Sequence, residues 1–488
     1  MNAITRILDW PASADDARPL ALWDAVSIAR AVRGTANADF QVSGVEIDSR
    51  DVMPGDLFVA LKGETTDGHA YVEAAFAKGA VAALVERPID GPHVLVKDTS
   101  SALEDLAKTS RNRSMARIIG VTGSVGKTGV KEAIFQALDR ASHGRAHRSV
   151  KSYNNHVGVP LSLARLPSRA RFGVFEMGMN HAGEIAALTR QVRPHVAVIT
   201  TIAPAHIEML GSEEAIADAK AEVLEGLEPG GVAVIPADSP HFGRLREAAE
   251  RHGAQVVSFG RAADAGVRLL DVVAAPGGGS LVTAEFRGDP GGDRRVCYTV
   301  AAPGDHWVIN SLAVMAAVRA AKGDLGAAGL ALAEMEGMAG RGARLEVPVD
   351  GGTALLIDES YNANPASMRA TLAQLARTEA RRRIAVLGAM KELGSHAPGY
   401  HAALAGPLAE AGVDFAILVG DEMRALADEL GKSESAALGK RLAFAHCDSV
   451  RDAEQALQRH GLESGDAILV KGSNSVGLGA LVAALAGK

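Results

Sequence analysis

Short apolar runs recur along most of this chain, and stretches with helical spacing separate them. Ala80-Val-Ala-Ala-Leu-Val85, Arg117-Ile-Ile-Gly-Val-Thr122, Gly173-Val-Phe-Glu176, Val196-Ala-Val-Ile-Thr200, Val232-Ala-Val-Ile235, Arg383-Ile-Ala-Val-Leu-Gly388, Phe415-Ala-Ile-Leu-Val-Gly420 and Ala467-Ile-Leu-Val470 carry apolar residues on both strand faces. A strand apolar on both faces must be covered on both, as inside a parallel sheet flanked by helices. Parallel neighbours also need a long crossover, which the helical stretches supply. The chain is therefore restricted to the α/β class. Its 488 residues suggest about three domains.

The first stretch, to about residue 98, is mixed. Ala21 to Val32 and His69 to Lys78 read as helices, and Gly44 to Asp48 and Asp56 to Leu61 read as strands. Thr99 to Arg113 is polar and helical and reads as a linker. Residues 266 to 300 carry Gly, Pro and Asp clusters, which predicts a small antiparallel excursion. Near Arg341 a further region opens. Asp350-Gly351-Gly352 between Leu345-Glu-Val and Ala354-Leu-Leu-Ile357 is a hairpin signal, followed by a second βα succession.

Composition removes several functions. Apolar residues make up 47% of the chain, and Gly and Pro number 53 and 19, which excludes a low-complexity chain. A net charge of −7 is a poor match to generic nucleic-acid binding, which needs a basic face. The two cysteines, Cys297 and Cys447, form no C-x-x-C pair and read as ordinary half-buried thiols of a reducing compartment. No secretory leader pattern and no long uncharged apolar run is present, so a soluble, cytoplasmic protein without membrane insertion is expected.

The sharpest chemical signal is Thr122-Gly-Ser-Val-Gly-Lys-Thr128. A strand precedes it, and a helix follows with Val130, Ala133, Ile134, Ala137 and Leu138 on one face. Strand, glycine loop, Lys-Thr and helix form a phosphate cradle: backbone N–H groups and the helix dipole face the anion. Gly123, Ser124, Val125, Gly126, Lys127, Thr128 and Gly129 are its candidates, with Lys127 for the β/γ-phosphates of ATP and Thr128 for Mg²⁺. Val121 stands where the commoner spacing has its first glycine. A helix-capping turn is the plainer alternative.

Other polar residues stand beside the apolar runs. Glu176 ends a strand and could hold Mg²⁺ or be a surface carboxylate. His206 follows another strand, and a lone histidine is usually structural. Lys220 lies in the helical stretch Glu213 to Leu227 and by itself reads as solvated. Asn154-Asn155 and Gly304-Asp-His306 with Asn310 could read a base or sugar, or could form Asx turns. Asp358-Glu-Ser-Tyr-Asn-Ala-Asn-Pro365 and Lys471-Gly-Ser-Asn-Ser475 end strands, with more polar groups than a turn requires. Histidine/cysteine zinc spacing and G-x-S-x-G are absent.

Taken together, these residues resemble the Mur ligase family over nearly the whole chain. The compact loop at 122–128 is similar to that family's form of the phosphate loop. Glu176 in Glu-Met-Gly-Met-Asn-His-Ala-Gly-Glu resembles its magnesium glutamate, and His206 in Ala-Pro-Ala-His-Ile-Glu resembles the histidine beside a second metal. Lys220 in Ala-Asp-Ala-Lys-Ala-Glu resembles the lysine that becomes a carbamate, an anionic metal ligand. Asp48-Ser49-Arg50, Gly55 to Leu61 and Asp67-Gly-His69 resemble the family's uridine-nucleotide domain. Asp358 to Pro365, Leu387 to Gly394 and Val470 to Ser473 resemble the C-terminal motifs of the member that adds a dipeptide. One departure is Trp307, where the family has asparagine after the histidine; Asn310 keeps the second amide position.

The resemblance implies three domains. They are a small mixed α/β domain (1–98) for the uridine nucleotide, a central P-loop-type parallel α/β domain (99–338) for ATP, and a C-terminal Rossmann-like α/β domain (339–488) for the incoming dipeptide. It implies ligation of D-alanyl-D-alanine to the carboxylate of UDP-N-acetylmuramoyl-tripeptide, through an acyl phosphate, in peptidoglycan synthesis. Lys127, Lys220, Glu176 and His206 are then the expected catalytic residues. Thr128, Glu176, His206 and Lys220 are the expected Mg²⁺ ligands, and Asn310, Tyr361 and Asn362 join the phosphate loop around ATP; Arg341, from its place at the domain junction, is a candidate γ-phosphate contact. Asp48, Ser49, Arg50, Asn155, Asp358 and Lys471 are expected at the other substrates. A monomer is expected. The alternatives are a third-residue-adding ligase of the family, a folylpolyglutamate synthase, or a nucleotide-binding protein without ligation.

Overall fold

The computed structural model describes residues 21–63, 66–150, 152–204, 207–275, 279–288, 292–335, 337–432 and 442–487. Contacts divide the chain into two compact units: Met1–Ala116 with His147–Gly173, and Arg117–Ala146 with Val174–Lys488.

The first unit carries a five-stranded sheet among the described residues, in the order Thr35–Ala36, His93–Leu95, Ala82–Val85, Asp56–Val59, Gly44–Glu46. All neighbours but the first pair are parallel. The expected linker Thr99–Arg113 is instead a packed helix of this unit. Asp98 caps it by accepting from Ser101 N, and Ala102, Leu103, Leu106 and Ala107 are buried. They share a core with Trp23, Ile28, Leu161 and Ala164. The Arg113 guanidinium lies 3.6 Å over the Trp23 ring, whose Nε1 donates to Ala164 O at 2.9 Å. The compact units thus differ from the expected boundary at residue 98. A polar sequence hid the helix's buried stripe, and the helix Gly158–Ala164 joins the same core from far along the chain.

His147 belongs to this unit and donates from Nε2 to Ser162 O at 2.8 Å. Burial pushes its pKa down to about 4, against the opposing effect of the Ser162 hydrogen bond. An unfolded histidine titrates near ~6.5, so the unfolded state takes up the proton first. This contribution is complete above about pH 6.5 and declines as the pH falls toward about 4. The urea midpoint of the wild type should therefore drop more between about pH 7.5 and about pH 5 than that of His147→Gln. Equal drops would remove this role.

In the second unit the central sheet runs Arg294–Val300, Ser280–Phe286, Val267–Ala274, Gln255–Gly260, Val232–Pro236, Val196–Ile199, Arg117–Thr122, Phe172–Glu176. Its middle strands are parallel, and the expected excursion over 266–300 is antiparallel and extends the same sheet. A second sheet runs Ala343–Val349, Gly352–Glu359, Ala467–Lys471, Arg383–Gly388, Phe415–Val419, Ala443–Cys447, and only its hairpin is antiparallel. Gln255–Gly260 and Ala443–Cys447 are among the strands that were not expected. They are only partly buried, so they lack the continuous apolar signature of a covered strand. The cysteines differ: Cys447 is buried and Cys297 exposed. Among the described residues no helix is long and apolar enough to cross a membrane.

Candidate functional site

The strand Arg117–Thr122 feeds a tight loop and then the helix Lys127–Ser142. Two positions need glycine. Gly123 has φ +145°, and a Cβ there would lie 2.0 Å from Thr200 Oγ1. Gly126 caps the helix at φ +87°, and a Cβ there would meet Asn310 Nδ2 at 2.9 Å. Gly129 is pressed against the Trp307 indole in the same way. Val121 is an ordinary buried strand residue paired with Val198. The compact loop begins one residue later and needs no glycine there.

The loop is pinned to the exit of the strand Val196–Ile199. Ser124 N donates to Thr201 O at 2.7 Å, and Ser124 Oγ donates to Ala203 O at 2.9 Å and accepts from Ala203 N at 3.0 Å. Val125 O accepts from Thr200 Oγ1 at 2.5 Å. Lys127 folds back, its Nζ donating to Gly123 O at 2.8 Å. Burial lowers the Lys127 pKa; Glu176 opposes this, Arg341 adds to it, and Glu392 opposes it. The first-turn N–H groups of the helix lack intrahelical acceptors by geometry and face outward, as an anion site requires.

Beside the loop, Met177 N donates to Val121 O at 2.9 Å, which sets Glu176 next to Thr122 and the cradle. Thr128 is buried, and its Oγ1 has no hydrogen-bond partner among the described residues. Lys131 is fully buried, 3.0 Å from Glu132 Oε1 and 3.9 Å from Glu176 Oε2. Sequence reasoning missed it. The only signal was its place one helical turn beyond Lys127. Lys220 is 1% exposed, so the solvated-lysine reading is wrong. Burial first, and then the Lys127 charge, hold its pKa well below the usual lysine range. His206 lies outside the described residues.

Among the described residues no three His, Cys, Asp or Glu side chains converge on a metal position. A Mg²⁺ ion at the loop would draw on the Thr128 hydroxyl and Glu176. The buried, unpartnered Thr128 Oγ1 beside a buried carboxylate fits such an ion.

The hinge between the two sheets contributes next. The Arg341 guanidinium sits 4.2 Å over the Tyr361 ring, and its charge is among those felt by Lys127. Asp358 holds this turn in place. It accepts from Gly340 N at 2.6 Å, Ser360 N at 3.1 Å and Ser360 Oγ at 2.6 Å. Expected at the substrate, Asp358 is instead buried, with both oxygens committed to its own chain. Lys471 is buried as well and donates to Glu359 Oε2 at 3.2 Å and Asn362 O at 3.0 Å. It fixes the loop that carries Asn362 and is already neutralised by Glu359. Asn310 is not in a turn but on the helix Asp305–Ala320, against Gly126.

In this unit a cavity of about 300 Å³ is lined by Ser124 of the phosphate loop and by Asn362, Asn364, Glu392, Ser473 and Asn474 beyond the hinge. Phosphate loop and C-terminal residues thus share one space.

The remaining candidates lie in the first unit. Asp48 accepts from Arg50 N at 2.9 Å and pairs with its guanidinium at 2.7 Å; Arg50 is exposed and Ser49 half-buried. Asn155 Oδ1 accepts from Val157 N and Gly158 N, so the Asx-turn alternative describes its present contacts. His69 Nε2 accepts from Glu86 N, which leaves Nδ1–H to donate to Asp67 at 2.6 Å. His69, through backbone and side-chain hydrogen bonds, lowers the Asp67 pKa to about 2.

Comparison with known proteins adds an independent line. Three family models match: "Mur ligase family, catalytic domain" over residues 41–111, "Mur ligase middle domain" over 121–318, and "Mur ligase, glutamate ligase domain" over 343–474. A Synechocystis protein named UDP-N-acetylmuramoyl-tripeptide--D-alanyl-D-alanine ligase is 34% identical, over 92% of this chain and 92% of its own. A crystal structure of MurF from Acinetobacter baumannii superposes with a TM-score of 0.77 at 30% identity, covering 96% of this chain and 99% of that one. A crystal structure of the MurF ligase from Thermotoga maritima in complex with ADP gives 0.68 at 25% identity, covering 89% and 94%.

Proposed function

The chain belongs to the Mur ligase family, and from that premise we propose that it joins D-alanyl-D-alanine to UDP-N-acetylmuramoyl-tripeptide with ATP. The observation that carries this is the shared cavity: Ser124 of the phosphate loop and Asn362, Asn364 and Ser473 of the C-terminal sheet line one space. An activated carboxylate and an acceptor amine have to meet in such a space. Relatives bearing this activity in their names align over nearly the full chain.

A free carboxylate is a poor electrophile, and transfer of the γ-phosphoryl group gives it a leaving group. That transfer needs alignment and charge neutralisation more than a protein nucleophile. The loop Gly123–Thr128 and Gly129 position the phosphates, with Lys127 released from Gly123 O to meet them. Thr128, Glu176, His206 and a Lys220 carbamate would hold Mg²⁺, which would supply further neutralisation of phosphate charge. Asn310, Tyr361 and Asn362 border the nucleotide. Asp48, Ser49, Arg50 and Asn155 serve the UDP substrate from the first unit. Asp358 and Lys471 are positioning residues, the first for Arg341 and the second for the Asn362 loop.

Arg341 is the γ-phosphate contact at the hinge. Arg341→Ala should lower ATP-dependent ligation by about tenfold or more. Activity within about threefold of wild type would remove the role. The activity itself is tested by mass spectrometry of the products formed from ATP, UDP-N-acetylmuramoyl-tripeptide and D-alanyl-D-alanine. A UDP product heavier by the dipeptide less water is expected. No product with these substrates, but addition of one amino acid to the UDP-dipeptide, would assign the third-residue-adding activity instead.

A further inference from the structure

Glu46 ends the strand Gly44–Glu46 of the first unit and is 6% exposed, and the roles above leave it unused. Two residues on, the chain reaches Asp48-Ser49-Arg50. Pairing with Asp56–Val59 stops at Glu46, so the N–H groups of Ile47 and Asp48 fall beyond the ladder. The Glu46 carboxylate takes over there. Its Oε1 accepts from Ile47 N at 2.8 Å and from Asp48 N at 3.3 Å. Its Oε2 accepts from Arg165 Nη2 at 2.5 Å, and Arg165 Nε donates to Val45 O. Arg165 is the C-cap residue of the helix Gly158–Ala164. That helix starts at the turn held by Asn155, whose Oδ1 accepts from Val157 N and Gly158 N. The ion pair thus ties the Asp48 turn to the helix that follows Asn155. The far end of the same loop is held in a similar way, with Asp56 Oδ2 accepting from Met53 N at 2.9 Å. Burial raises the Asp56 pKa; the Met53 hydrogen bond and then the Arg165 charge lower it, so the guanidinium is near both carboxylates.

A buried ion pair seldom stabilises a fold more than apolar residues of similar volume. Apolar residues could not accept from Ile47 N and Asp48 N, however, and would leave both groups unpaired. What the pair adds is order in the backbone that presents Asp48, Ser49 and Arg50.

We propose that Glu46 and Arg165 are positioning residues for the UDP substrate, fixing the Asp48-Ser49-Arg50 turn in its binding conformation and at a set distance from Asn155. This rests on the ligase reading above. Neither residue touches the substrate in this assignment; both act through the backbone between Val45 and Asp48. A turn that is already ordered loses less conformational freedom when the substrate binds. The pair therefore acts on affinity for the UDP substrate and leaves turnover and ATP binding alone.

The test is calorimetric binding of UDP-N-acetylmuramoyl-tripeptide and of ATP to the full chain, with kcat measured at saturation. Glu46→Gln should raise the Kd for the UDP substrate by about tenfold, with the Kd for ATP and kcat within about twofold of wild type. Arg165→Gln should do the same, and Arg165→Lys, which keeps the charge, should recover part of the affinity. The double variant Glu46→Gln/Arg165→Gln should bind the UDP substrate about as weakly as either single variant, because the two residues act as one unit. It also removes both charges together, so it reports even if a single variant, left with one unpaired buried charge, does not fold. A UDP-substrate Kd that rises by less than about threefold in the folded variants would overturn the proposal. So would equal weakening of ATP binding, or a double variant that does not fold, because the pair would then serve the fold and not the turn. A wild-type protein that binds ATP but not the UDP substrate would instead overturn the ligase reading itself.

Discussion

Lys220→Ala should lose ligation by about 10²–10³-fold in kcat, and short carboxylic acids added to the assay should restore part of it. The reasoning starts from burial. Lys220 is 1% exposed, on the helix Glu213–Ala221, with Ile216, Ala217 and Ala219 buried around it. A charged ammonium there is opposed first by desolvation and then by Lys127, so the side chain is held toward the neutral amine. A neutral amine can add carbon dioxide and become a carbamate. That change turns a misplaced cation into an oxygen ligand suited to Mg²⁺ beside Thr128 and Glu176. Alanine leaves space, and a small carboxylate can stand in for the lost oxygens. Arginine cannot form the carbamate, so Lys220→Arg should stay inactive with or without the added acid. Full activity of Lys220→Ala without rescue would sink the carbamate.

Lys127→Met should cost about 10³-fold in kcat and weaken ATP binding, while calorimetric binding of the UDP substrate is unchanged. Lys127 is the cation of the phosphate loop, parked on Gly123 O at 2.8 Å and close enough to Glu176, Arg341 and Glu392 to feel each charge. Methionine keeps most of the packing and removes the charge. The residues assigned to the UDP substrate belong to the other compact unit, so their binding is a control for folding. Retention of kcat within about tenfold would contradict the assignment of Lys127 to the transferred phosphoryl group.

Which parts of this molecule could be read from its sequence follows from where each residue's surroundings come from. Covered parallel strands such as Val196–Ile199 and Ala467–Lys471 announce themselves because both faces must be apolar. The phosphate loop is legible because strand, glycines, Lys127 and helix are contiguous. Lys220 was not legible from its helix, since Ala-Asp-Ala-Lys-Ala is equally good for a solvated face; only the family resemblance singled it out. Asp358 was read as a ligand because polar residues at strand ends often are. Its partner Gly340 is close in space through the hinge turn, which the sequence does not display. Lys131 and Glu392 owe their surroundings to other segments, Glu176 for one and Glu208 and Ser473 for the other. The helix Thr99–Arg113 looked polar because its buried stripe mixes Thr99, Ser110, Arg111 and two alanines with only two large apolar residues, Leu103 and Leu106.

The most direct test of the whole account is phosphate release from ATP in the presence of UDP-N-acetylmuramoyl-tripeptide, with and without D-alanyl-D-alanine. Sustained release that requires both, with one phosphate per ligated product, is the predicted result. Sustained release from ATP that neither substrate accelerates would contradict the account.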